Sequence, residues 1–259
     1  MDKEKLQKYY VHFKLLEDVL TLSSKIQDEF NALKLKDTEL TCNQQVANFL
    51  HVKSYKSILA IITLCKEGFQ EDAVSLLRTV FENVVNLLWV LKDSSGERCE
   101  KYSDERILEE RSFIQNNLKS PFLTPELKQE ADDSLKEILP KYEQIKKKYN
   151  IVNEPFRLIP NMADMAIDVG LNHLYYLFYK PWSWQVHGKI ASSGSYIVEL
   201  PDFINFSSEA SYDKIATILI PLSHLTLMLL EKYCDLFKFD HSSEISELMK
   251  RWSQLKDVE

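Results

Sequence analysis

Glycine is scarce in this chain: five residues in 259, against a usual frequency of roughly 7%. Sheet-rich and doubly wound folds use glycine at their turns, so the scarcity points to long helices with short connections. The familiar chemical signatures are missing as well. No HExxH occurs, and no histidine follows a glutamate at the third position, which removes the usual zinc and di-iron helix patterns. Neither a GxxxxGK[ST] phosphate loop nor a GxGxxG fingerprint is present. GxSxG, the strand-to-helix turn that presents a nucleophilic serine, is absent too. We therefore expect neither a metal nor an organic cofactor.

Cysteine supplies no CxxC. Cys42, Cys65, Cys99 and Cys234 lie far apart, which reads most simply as free thiols in a reducing compartment. Met1-Asp2-Lys3-Glu4-Lys5 lacks the apolar stretch of a signal peptide, so a cytoplasmic location is expected. The longest uncharged run, Ile215 to Leu230, contains Pro221 and His224 and falls short of the roughly 18 residues of a membrane span. It reads as a buried core helix, and no membrane partner is expected. With 32 basic against 39 acidic side chains, the net charge of −7 opposes broad nucleic-acid binding but not a local basic cleft.

What is present is helical periodicity. The apolar fraction of 45% is that of an ordinary globular protein. Residues 3–33 carry Leu6, Tyr9, Tyr10, Phe13, Leu16 and Leu20 at helical spacing. Thr38 is placed to cap a second helix that Gly68 would end in the left-handed conformation. A central helix over about 70–93 is apolar around most of its surface. Ser94-Ser95-Gly96 breaks it before a charged helix, and Thr124-Pro125 starts another that reaches about Tyr149. Shorter helices fill about 161–187, and helices over about 209–236 and 242–255 complete the chain. The fold class is all-α, a multi-helix bundle with at most a short hairpin or extended segment near 190–206. We expect one domain over 1–259, with the helical pair at 95–150 projecting from it.

Two segments carry the polar chemistry. Arg78 and Glu82 lie four apart on the central helix and so share a face. Around them Asp72, Ser75, Thr79, Asn83 and Asn86 recur at helical spacing as a polar stripe. Such a stripe either faces solvent or lines a cavity, and the apolar remainder of the helix favours the second. The other segment is Trp182-Ser183-Trp184-Gln185-Val186-His187-Gly188, preceded by Tyr175, Tyr176, Phe178 and Tyr179. His187 has the one side chain whose ordinary pKa lies near neutrality. It is either a helix-end ring bonded to a backbone carbonyl or a general acid or base. We expect the Arg78/Glu82 pair to be largely buried, with His187 within about one water-bridged contact of it. Lys146-Lys147-Lys148 sits on an acidic helix and reads as a solvated face, and His224 as a core histidine.

Leu76-Leu77-Arg78-Thr79-Val80-Phe81-Glu82, then Leu88-Trp89, Tyr102, Tyr179 with Ser183, and Val186-His187-Gly188 resemble a microbial family called domain of unknown function 5677. The resemblance covers about residues 50–230, and Arg78, Glu82, Ser183 and His187 match the family's polar pattern. It implies a site without implying an activity. The Val-His-Gly ending is also similar to the small helical HEPN domains of toxins and phage-defence proteins, many of them metal-independent ribonucleases. Those domains carry an arginine, a polar residue and a histidine on one helix. Here the arginine's places hold Lys180, Pro181 and Trp182, so Arg78 would have to supply the charge from another helix.

Three functions follow as alternatives. The first is a HEPN-like ribonuclease with catalytic His187, Arg78, Glu82 and Ser183, acting on RNA or a nucleotide. The second is a non-catalytic interaction module with a buried Arg-Glu-His network and a partner protein. The third is a small-ligand protein with a pocket lined by Trp89, Trp182, Trp184 and the tyrosines. Each is compatible with a homodimer.

Overall fold

The computed structural model describes residues 3–152, 156–199 and 204–256. The architecture is all-α. In chain order the first elements are α1 (Lys3–Gln7), α2 (Tyr10–Ala32), α3 (Cys42–Glu67) and α4 (Gln70–Leu91). They are followed by α5 (Glu97–Leu118), α6 (Pro125–Lys148), α7 (Met162–Asp168) and α8 (Asn172–Leu174). A π-helical turn (Tyr175–Tyr179), α9 (Lys180–Val186) and a 3-10 helix (Ile190–Ser195) come next. After β1 (Ile197–Glu199) and β2 (Ile204–Phe206), α10 (Ile215–Phe237) and α11 (Ser242–Lys256) close the chain. The strands pair antiparallel with Ile197 opposite Phe206 and Glu199 opposite Ile204, the one sheet among the described residues. That hairpin falls within the stretch expected to hold it.

The chain divides into two compact units, residues 1–89 with 162–259, and residues 90–161. In the first unit α10 packs against α2, α3 and α11. Although α4 and α10 are each long and apolar enough to cross a bilayer, α10 buries Ile215, Leu219, Leu222, Leu225, Leu229 and Tyr233 within the unit. In the second unit, Ile107, Leu108 and Ile114 of α5 meet Ile138, Tyr142 and Ile145 of α6 in a small apolar core. The charged pair expected at 95–150 lies in this unit.

Local chemistry explains the helix ends, with two corrections. The N-cap of α3 is Thr41, not Thr38, which lies in a separate 3-10 turn (Asp37–Glu39). Thr41 is favoured because Gln44 follows three residues later. The threonine hydroxyl accepts from the Gln44 amide at 3.3 Å, and the glutamine oxygen accepts from the Thr41 amide at 2.9 Å. The helix expected over 3–33 is also interrupted, at Tyr9 (φ −101°, ψ 7°). Tyr9 buries its ring and donates its hydroxyl to the Asp213 carbonyl at 3.3 Å, so tertiary contacts win over helical propensity. Thr124 caps α6 as expected, accepting from the Leu127 amide.

At Gly68 the expected left-handed stop is found, with φ +83°. The Gly68 and Phe69 amides close back on the Cys65 and Leu64 carbonyls. The Gly68 carbonyl then accepts from the Ser211 amide at 2.9 Å, so this turn also anchors the segment leading into α10.

Candidate functional site

The first turn of α4 begins at a buried glutamine that ties this helix to the segment leading into α10. Gln70 donates to the Ser211 hydroxyl at 2.6 Å and to the Glu71 carboxylate at 3.1 Å, while its carbonyl accepts the Lys214 amide at 2.7 Å. Two turns further along, Arg78 and Glu82 form the expected i,i+4 pair, with Nε and Oε1 3.2 Å apart. The Nε–H is buried but misaligned for a hydrogen bond, so proximity rather than a directed bond joins the charges. Their side chains are 21% and 33% exposed, half-buried rather than enclosed.

The partner that completes the pair is Tyr179. Its hydroxyl donates to Glu82 Oε1 at 2.6 Å and accepts from Arg78 Nη2 at 2.9 Å. The Arg78 guanidinium also lies over the Tyr179 ring, 4.8 Å from its centroid. Burial pushes the Tyr179 phenol up to about 12, and the Glu82 carboxylate adds to the rise while Arg78 opposes it. The hydroxyl therefore stays protonated and keeps its donor role at neutral pH.

Proline explains how Tyr179 reaches this position. Pro181 has no amide hydrogen for the carbonyl four residues earlier, and its ring crowds that carbonyl. The preceding turn, Tyr175–Tyr179, widens to π-helical geometry, which often marks a functional segment. Tyr175 stacks on Tyr179 with centroids 5.1 Å apart, and Phe81 of α4 lies 5.1 Å from the same ring.

The structure joins Arg78 and Glu82 through Tyr179 and not through His187. His187 follows α9, about two helical turns beyond Tyr179. It is exposed, and its ring makes no hydrogen bond among the described residues; only its amide is engaged, with the Ser183 carbonyl. Ser183 is half-buried one turn after Tyr179. The polar stripe of α4 splits in two: Glu82 meets Tyr179, while buried Asn83 donates to Ser54 of α3 at 3.0 Å. His224 is half-buried and stacks on Trp252 with centroids 4.2 Å apart.

Beside the Arg78–Tyr179–Glu82 node, towards the start of α4, lies a pocket of about 210 Å3. Its walls include Glu71 and Val74 of α4, Trp182 and Trp184 of α9, Ser195, and Lys214 at the start of α10. Phe178 stacks on Trp182 at 5.4 Å, and Gln185 donates to the Tyr196 hydroxyl at 2.7 Å, which holds α9 to the segment after it. Trp89, grouped with these tryptophans from sequence, is instead buried in the core. The second unit has its own larger pocket of about 850 Å3, where Arg111 lies 3.9 Å over the Tyr142 ring beside buried Glu105. Burial raises the Glu105 carboxyl, and the Leu158 amide donating to it at 2.7 Å partly offsets the rise. None of the residues singled out from sequence lines that pocket.

Among the described residues, no three His, Cys, Asp or Glu side chains are grouped to hold a metal ion. A family model for a family of unknown function matches residues 44–204, a span that includes α4, the π-helical turn and α9. The chain belongs to the family of unknown function DUF5677. Arg78, Glu82, Tyr179, Ser183 and His187 all fall inside the matched span, whereas Lys214 lies beyond it. No curated protein and no solved structure matches the chain.

The node itself makes a separable prediction. Tyr179→Phe keeps the ring and its stacking but removes one donor and one acceptor from two charged partners. We expect a loss of about 1–3 kcal/mol in urea unfolding. A variant as stable as the wild type would show that the hydroxyl contributes nothing.

Proposed function

We propose that this chain is a helical small-molecule-binding protein in which the Arg78–Tyr179–Glu82 node holds an aromatic wall against α4. The observation that carries the reading is the position of Tyr179. Its hydroxyl sits between the two charges, which also compensate one another. A charge-neutral, internally bonded node is suited to fixing a register rather than to capturing an anion. Three residues after Tyr179, Trp182 lines the pocket; four before Arg78, so does Val74. The node thus positions both walls of a cavity that combines aromatic surface with a few polar groups.

The test is to follow the indole N–H resonances of Trp182 and Trp184 while mixtures of small metabolites are added. The expected result is a saturable shift of both indoles by at least one compound, weakened in Tyr179→Phe. Indoles that respond to no compound would overturn the reading.

One observation favours a second reading, a metal-independent ribonuclease of HEPN type acting in a toxin or phage-defence setting. The His187 ring is exposed and unbonded, as a general acid or base awaiting a substrate would be. In that reading Arg78 Nη1, which makes no bond among the described residues, contacts an RNA phosphate, with Glu82 orienting the guanidinium and Ser183 bonding nearby. Because the ring has no partner to lose, His187→Ala should change stability by less than about 0.5 kcal/mol. RNA cleavage by the wild type that is abolished in this variant would establish the enzyme. A wild type that leaves RNA intact would remove it.

A further inference from the structure

The pocket beside the node is lined by one acid and one base that do not pair with each other. Glu71 takes part in no ion pair among the described residues; its carboxylate accepts only the Gln70 amide nitrogen at 3.1 Å. Lys214 likewise has no acidic partner, and its ammonium donates to the Ser195 hydroxyl at 3.0 Å. Each keeps hydrogen-bonding capacity in reserve: the carboxylate has further lone pairs and the ammonium two more N–H groups. Trp182 and Trp184 line the same pocket, the latter 38% exposed.

Hydrogen bonds hold both groups at the pocket. Gln70, only 2% exposed, bonds to the Glu71 carboxylate and to the Lys214 backbone amide, so one buried hub holds the acid and the backbone that carries the base, whose exposed ammonium is held by Ser195. Ser195 is brought to the same rim by the 3-10 helix that follows α9. A negative and a positive group on the walls of one cavity are complementary to a ligand carrying both signs. The volume of about 210 Å3 is below the roughly 300–1,000 Å3 of sites for drug-sized ligands. It suits a metabolite the size of one amino acid.

We infer that the pocket binds a small zwitterion of the free amino-acid type. The ammonium sits on Glu71, the carboxylate on Lys214 and Ser195, and an apolar or aromatic side chain lies against Trp182 and Trp184. This rests on the small-molecule reading above and adds the ligand's class to it. Tryptophan faces also attract cations, so the same wall reinforces the site for the ammonium end.

The experiment is calorimetric titration of the full chain with L-phenylalanine and L-leucine, with the Trp182 and Trp184 indole resonances followed in parallel. Phenylpropionate, which lacks the ammonium, and phenethylamine, which lacks the carboxylate, serve as single-charge probes. Saturable binding of at least one amino acid is expected, with each single-charge probe weaker by about tenfold or more. Glu71→Gln should abolish the preference for phenylalanine over phenylpropionate. Lys214→Met should abolish its preference over phenethylamine. A single-charge probe that binds as tightly as phenylalanine overturns zwitterion recognition. So does a failure of both amino acids while other metabolites still shift the indoles, an outcome that leaves the small-molecule reading standing. Silence of the indoles towards every compound overturns both.

Discussion

Gly68→Ala is expected to destabilise the protein by roughly 2–5 kcal/mol, a large part of the 5–15 kcal/mol that holds a typical domain together. Two effects combine. At φ +83° the residue is left-handed, which costs an L side chain roughly 1–2 kcal/mol. An added Cβ would also stand 2.5 Å from the Ala210 Cβ and 2.9 Å from the Tyr212 ring. Those neighbours belong to the segment whose Ser211 amide bonds the Gly68 carbonyl, so it cannot retreat without losing that bond. Crowding of this kind costs typically about 1–3 kcal/mol. Gly170→Ala is the control within the same unit: its φ is +79°, but nothing lies within 4 Å of the added Cβ. It should show the conformational cost alone. Urea unfolding that finds the two variants equally stable would refute the packing argument at Gly68.

Glycine at this turn was legible because its signal is local. A helical pattern stops there, and only a left-handed residue closes the last carbonyls. The caps show where local reading separates from guesswork. Thr38 and Thr41 are equally good caps as single residues, but only Thr41 has a glutamine three positions on. That pattern was available in the sequence and decides between them. The break at Tyr9 was not available, since it depends on a carbonyl 204 residues away.

The candidate site divides in the same way. Arg78 and Glu82 are four apart on one helix, so their meeting follows from helical geometry. Tyr179 stood in the recognised pattern of residues, yet it was grouped with the aromatic core and not with the polar site. A tyrosine that buries its ring still needs a partner for its hydroxyl, and this was the overlooked signal. The half-buried Arg78/Glu82 pair was short of a partner, Tyr179 was short of one too, and the fold brings them together across 97 residues. Gln70 was missed for a different reason. Its role is to bridge Glu71 to the backbone of Lys214, a junction that no spacing along the chain encodes.

Acidification should cost the protein about 3 kcal/mol through one histidine, His51. Its ring is 2% exposed between α2 and α3, against Tyr233 of α10 at 4.6 Å. Nδ1 lies 3.0 Å from the Gln27 amide oxygen, so it carries the hydrogen, and Nε2 accepts from the Ser23 hydroxyl at 2.8 Å. No charged group among these neighbours compensates a proton on the ring, and burial lowers its pKa from 6.5 to about 4. The unfolded chain therefore binds this proton more readily than the folded one. The stability from His51 is complete above about pH 6.5 and falls as pH drops towards 4. The lowering corresponds to about 3 kcal/mol. His241 behaves in the opposite sense. Burial pulls its pKa down, but Glu244 at 2.6 Å and Glu29 at 2.8 Å outweigh this and hold it above the ordinary value. Its contribution is complete below about pH 6.5 and fades only as pH rises through the folded pKa, so it does not mask the loss at His51. Urea midpoints measured from pH 7 to pH 4 should fall more steeply for the wild type than for His51→Gln, whatever the variant's absolute stability. Asp18 and Glu244, whose carboxyls are held below their ordinary values, add losses common to both proteins that cancel in the comparison. Parallel slopes, or a His51 ring that titrates near pH 6.5 in the folded protein, would refute the account.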